Sequence, residues 1–203
     1  MLTDAFLDWW FAPWAYAARP SASLSAPDCL GQRDAYRLWC EEARLRPDLP
    51  ERCDPAWSFA ALYDGRVLLS TARLFAGLMA ARRHDRTGLD ALTIDDRKWC
   101  ASISATQPLQ SFHTMRVASP QQVEIWGLVE LAVRLEHGFP GMWSRLRLLL
   151  PSDMSRDVDG LLRSGTGAGA HVSTPDRRAQ RCWRLCLERV ADAARITKEG
   201  VLQ

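Results

Sequence analysis

The chain is divided by residues that start and stop helices, and between the divisions apolar residues recur every three or four positions. Thr3, Asp54-Pro55, Thr93, Ser119-Pro120-Gln121-Gln122 and Thr174-Pro175 each place an N-capping side chain ahead of an apolar run, with proline or an acid in the first turn. Pro13, Pro47 with Pro50, Pro108, Gly138 with Pro140, Pro151 and Gly200 close the runs. No stretch alternates β-branched with polar residues, and the one Asp-Gly pair, Asp64-Gly65, sits between helical patterns. The pattern predicts an all-α protein.

Along the chain, residues 3–11 read as a short apolar helix ended by Pro13, and Arg19 to Pro27, with its serines and prolines, reads as a loop. Residues 31–46 form an amphipathic helix with Tyr36, Leu38, Trp39 and Cys40 on its apolar side. A helix capped by Asp54 runs to about Gly65. Val67, Leu68, Thr71, Leu74, Phe75, Leu78 and Met79 then make one continuous stripe, with Arg66, Ser70, Arg73 and Gly77 opposite. The helix after Thr93 carries Trp99, Cys100 and Ile103. The helix to His137 is apolar on most sides and belongs at the centre of the core. Residues 141–150 add Met142, Trp143, Leu146, Leu149 and Leu150. The small residues of 164–174 read as a flexible glycine-rich linker, and 175–198 as a last helix with the stripe Trp183, Cys186, Leu187 and Val190. The expected organisation is a compact helical domain over 1–163, the linker, and a C-terminal helix within 175–203 that packs on the same core.

Composition narrows the function. At 203 residues and 47% hydrophobic content the chain can bury a substantial core, and its formal charge of +2 does not mark it as a nucleic-acid binder. Nine tryptophans are unusual; each is either a core anchor or an interface hot spot. The six cysteines follow no secretory signal, so free thiols in a reducing cytosol are expected. No uncharged apolar run approaches a membrane span. Cys182 and Cys186, one turn apart, form half a metal site, but His84, His113, His137 and His171 stand singly, so no metal is expected.

No catalytic constellation emerges. Gly165-Thr166-Gly167-Ala168-Gly169 follows no strand and lacks the Gly-Lys-Ser/Thr of a phosphate loop. Asp95-Asp96 and Glu41-Glu42 are neighbours that point apart on a helix. The expectation is a protein that is not an enzyme and uses no cofactor. The last helix holds Arg177, Arg178, Arg181, Arg184, Arg189, Arg195 and Lys198, interspersed with Asp176, Glu188, Asp192 and Glu199. An alternative reading is therefore a helical regulator that binds nucleic acid through this helix; the interspersed acids favour a solvated face or a protein interface over a nucleic-acid or acidic-lipid patch, and no nucleic acid is expected as a partner. The cluster Phe6, Leu7, Trp9, Trp10, Phe11, Trp14 and Tyr16 either packs on the core or docks a partner. The candidate partner-binding residues are Trp10, Phe11, Trp14 and Tyr16 here and Trp143, Arg145 and Arg147 in the 141–150 helix, where indoles and arginines stand beside proline-defined bends.

Taken in order, these stretches resemble a known family. Phe11-Ala12-Pro13-Trp14-Ala15-Tyr16 resembles the Phe-x-Pro-x-x-Tyr near the N-terminus of the K protein of bacterial type III secretion systems. Leu68 to Arg83 is similar to its Leu-x-x-Leu-Gly helix and basic turn. Gly127-Leu128 leading to Pro140-x-x-Trp143-x-Arg145-Leu146-x-Leu148-x-Leu150-Pro151 is similar to its C-terminal stretch, and the helix with Cys182, Leu185 and Val190 follows in place. The glycine-rich stretch and the extra tryptophans are additions to that pattern. The resemblance implies an all-helical accessory subunit of the cytoplasmic sorting platform, at the cytoplasmic face of the inner membrane and without insertion into it. Its implied partners are the pod-forming Q protein and the cytoplasmic domain of the inner-membrane ring D protein. Through the pods it is linked indirectly to the stator and the ATPase.

Overall fold

The computed structural model describes residues 1–18, 31–112, 122–165 and 176–200. Within them the helices are α1 (Asp4–Phe11), α2 (Gln32–Ala43), α3 (Gly65–Arg83), α4 (Arg86–Asp90), α5 (Ile94–Thr106), α6 (Val123–Gly138), α7 (Met142–Leu146), α8 (Ser152–Gly165) and α9 (Arg177–Gly200). Single 3-10 turns occupy Pro13–Ala15, Pro55–Ala60 and Arg147–Leu149. No strand occurs among the described residues, and the fold is all-α. The loop reading of Arg19 to Pro27, Ser119-Pro120-Gln121 of the capping box and positions 166–175 of the linker and last-helix start lie outside the described residues, as do Cys29, His113 and His171.

Local capping explains most boundaries. Thr3 Oγ1 accepts from the Phe6 amide at 3.3 Å, and Thr93 Oγ1 accepts from the Asp96 amide at 3.2 Å. Asp54 caps only the 3-10 turn Pro55–Ala60, and Asp64 opens α3 by accepting from the Arg66 amide at 2.7 Å. Gly65 therefore begins a helix where the sequence suggested an end. A Cβ there would stand 2.5 Å from the Leu149 carbonyl oxygen, so glycine lets the chain pass. The helix expected over 31–46 stops earlier, with Arg44 in the left-handed conformation at φ 55°. Leu38 points outward, 45% exposed, while Tyr36, Trp39 and Cys40 are buried as expected.

The core is built on α3 and α6. The α3 helix also touches α4, α5 and α9, and α6 touches α7 and α8. Besides its expected stripe, α3 buries Ala72, Ala76, Gly77 and Ala80. It is therefore enclosed on nearly all sides, and Gly77 does not face solvent: a Cβ there would meet Leu92 and Cys100. Gly127 of α6 sits directly on the Ala72 carbonyl, which sets the spacing of the central pair. Leu128, Leu131, Ala132 and Leu135 of α6 are completely buried, as the sequence implied. The α8 helix was not foreseen; it docks Val158 in the core with Met154, Leu161 and Leu162 beside it. Ser164 and Gly165 complete α8 and so do not belong to a linker. The last helix sinks Cys182, Trp183 and Cys186 completely.

Candidate partner-docking site

The seven candidate residues separate into an inner set and an outer set. In α1, Phe6, Trp9 and Trp10 share the face turned to the core, at 3%, 1% and 0% exposure. Phe11 is one position further round and is 41% exposed. Pro13 then starts a 3-10 turn that leaves Trp14 46% exposed and returns Tyr16 to the core, stacked on Trp9 at 5.0 Å between ring centroids. Trp10, Tyr16, Trp143 and Arg145 are thus internal, and the expectation that they face a partner is corrected: burying their rings and stem is what fixes the N-terminal segment. Arg147 is half-buried and pairs with Asp159 at 3.1 Å.

Arg145 explains why the inner set is held so firmly. Its guanidinium lies 3.5 Å from the centroid of the Trp10 ring. Its Nε donates to the Trp10 carbonyl at 3.2 Å, and Nη2 donates to the Tyr36 hydroxyl and to the Arg46 carbonyl, each at 2.9 Å. No carboxylate pairs with it among the described residues. Burial pulls its pKa below the ordinary arginine value, opposed by Tyr36 and Tyr16. Burial likewise pushes the Tyr36 hydroxyl up, so it stays a neutral donor, reaching the Pro47 carbonyl at 2.5 Å. One cation thereby joins α1, α2, the segment after α2 and α7.

The outer set stands over a cleft. Phe11 and Trp14 meet Tyr36 edge-on, with centroids 5.4 and 6.4 Å away. Together with Pro47 they border a cleft of about 560 Å³ between α1 and α2. Its charged lining is Asp8 from α1, Arg33 and Arg37 one turn apart on α2, and Asp48 from the segment beyond. None of these four makes an ion pair among the described residues. An open aromatic floor rimmed by two cations and two anions that form no ion pair among the described residues suits a protein segment that brings an apolar anchor and complementary charges.

No family model, curated protein or solved structure matches this chain. The site is therefore read from its own geometry. Of the residues named from the sequence, Phe11 and Trp14 line this cleft; Tyr36 as their platform, and Asp8, Arg33, Arg37 and Asp48, were not named. The spacing of Arg33 and Arg37 was a visible signal; the approach of the segment around Asp48 was not.

A second polar centre also escaped the sequence reading. Glu130 and Arg134, both on α6 and both 2% exposed, form a buried ion pair. Arg134 Nε also donates to Asp176, at 3.2 Å, and its guanidinium lies 4.3 Å from the Phe112 ring centroid. Burial would raise the Glu130 pKa, but Arg134, the Ser111 hydroxyl and the Phe112 amide together hold it below the usual carboxylate range. These charges satisfy one another and serve cohesion. Cys182 and Cys186 are buried thiols, with burial pushing Cys182 up to about 11 and Cys186 well above its ordinary value. Among the described residues no group of three or more His, Cys, Asp or Glu is placed to hold a metal ion, and no helix is long and apolar enough to cross a membrane.

Proposed function

We propose that this chain is a non-enzymatic adaptor of the type III secretion cytoplasmic sorting platform, linking the inner-membrane ring D protein to the pod-forming Q protein. The carrying observation is the junction at Arg145. The two stretches that resemble the K-protein family, Phe11–Tyr16 and Pro140–Pro151, are far apart in sequence, and Arg145 of the second holds Trp10, the residue that immediately precedes the first. Their inner residues lock together, and the same junction positions Phe11 and Trp14 outward at the cleft. A rigidly mounted aromatic pair is what an interface hot spot requires, because little freedom is lost on binding.

The test is co-purification with the Q protein and with the cytoplasmic domain of the ring D protein. Phe11→Ala and Trp14→Ala should each weaken capture of one of these by about 2 kcal/mol or more while the melting temperature stays near wild type. If wild type captures neither protein, the adaptor reading fails. If capture is unchanged in both variants, the cleft is not the docking site.

A further inference from the structure

We propose that the N-terminal half of α9 is a second docking surface, separate from the cleft, whose occupant is an acidic segment of a partner protein. Arg177, Arg181 and Arg184 recur at four and three residues and so form one stripe along two turns, with Arg178 beside it. All four are exposed. None is within ion-pair distance of a carboxylate among the described residues. Two acids beside the start of α9 are already committed. Asp176 accepts from Arg134 Nε at 3.2 Å and from the Ala179 amide at 3.0 Å. Asp54 accepts from the Gln180 side chain at 2.6 Å and from the Ala56 amide at 3.0 Å.

The stripe is also partly prepared. The Arg184 guanidinium rests 4.6 Å from the Phe59 ring centroid, and Arg178 Nη1 donates to the Pro108 carbonyl at 3.1 Å. Ordered guanidinium groups lose less freedom when they engage carboxylates, and their fork matches a carboxylate in two-point contact. Cations in the opening turns of a helix also oppose its dipole, an arrangement that an incoming anion relieves.

The extent of the stripe selects the occupant. It ends at Glu188 on the same face, with Asp192 one turn further, and both are exposed. A duplex or an anionic bilayer extends beyond two turns and brings its next phosphates against these acids. A short protein segment with acids at matching helical spacing fits between Arg177 and Arg184.

The experiment uses the full chain and fluorescence anisotropy. The probe is a labelled helical peptide carrying glutamates at positions i, i+4 and i+7, alongside a labelled 20-base-pair duplex and phosphatidylserine vesicles as competitors. The peptide should bind at low salt. Arg177→Glu with Arg181→Glu should weaken it at least about tenfold, since two charge-assisted contacts are lost and reversed. Arg44→Glu with Arg156→Glu, the same charge change on α2's end and α8, should weaken it less than about twofold, as expected for a screened distant charge. Circular dichroism and melting temperature establish that both variants fold. Absent peptide binding, equal weakening by both pairs, or tighter binding of the duplex or the vesicles overturns the proposal. Absent peptide binding or equal weakening by both pairs leaves the cleft and the adaptor reading untouched, whereas tighter binding of the duplex favours the nucleic-acid-binding alternative.

Discussion

Glu130 is a carboxylate inside a helix otherwise packed with leucine, and its cost is offset only because Arg134 shares the same interior. Replacing it by glutamine leaves Arg134 buried with only Asp176 as counter-charge, so Glu130→Gln should lower unfolding free energy by about 3 kcal/mol at pH 7. The sign with pH follows from the lowered folded-state pKa. The contribution is complete above the unfolded value, 4.5, and is lost as pH falls below it through the folded value. Urea titrations of wild type and Glu130→Gln should therefore converge as pH drops below 4.5. The indoles make a second comparison. Trp143→Ala should cost about 3–5 kcal/mol because the ring is 4% exposed, whereas Trp14→Ala, at 46%, should cost under about 1 kcal/mol. Thermal melts of the two variants separate core from surface. At this scale the sequence was legible only as a residue count: Trp10 and Phe11 are adjacent and similar, and what parts them is a rotation of about 100° around α1, which requires knowing where the core lies.

For the helices, the spacing of apolar residues and the capping side chains located α1, α3, α5, α6 and α9 because those signals are local. The α8 helix was missed because Val158, Leu161 and Leu162 are too few to stand out and Gly160 interrupts them. The two glycines Gly127 and Gly160 now give opposite expectations. Gly127 lies against the Ala72 backbone, which cannot move aside without parting α3 from α6, so Gly127→Ala should destabilise by about 2 kcal/mol or more. Nothing lies within 4 Å of a Cβ built at Gly160, so Gly160→Ala should stabilise by about 0.5–1 kcal/mol through helix propensity. Chemical denaturation of both variants checks the pair, and a loss at Gly160 would contradict the open surface assigned to α8.

Across the whole molecule, the five described cysteines report on cooperativity. Cys40, Cys100, Cys182 and Cys186 are buried, and Cys53 is half-buried at the edge of the core. Under native conditions a thiol reagent should modify Cys53 first among these five, and the four buried thiols should react only as fast as the molecule opens, with burial holding Cys100 up to about 12. Peptide mapping by mass spectrometry across a urea series distinguishes opening in parts from opening as one unit. The all-α class was readable in the sequence because it depends on punctuation repeated along the entire chain. The cleft was only partly readable: Phe11 and Trp14 were named within an aromatic cluster that also held the buried Trp10 and Tyr16, while Arg33, Arg37 and Asp48 become neighbours only through the tertiary path. The bond from Arg145 to the Trp10 carbonyl spans 135 positions, and this has a consequence for biosynthesis. A ribosome adds about 5–20 residues per second, so the first helix emerges on the order of ten seconds before the arginine that covers its indole. For that interval the nascent chain presents the Trp10 indole without the guanidinium that later covers it, an apolar surface open to chaperones during translation.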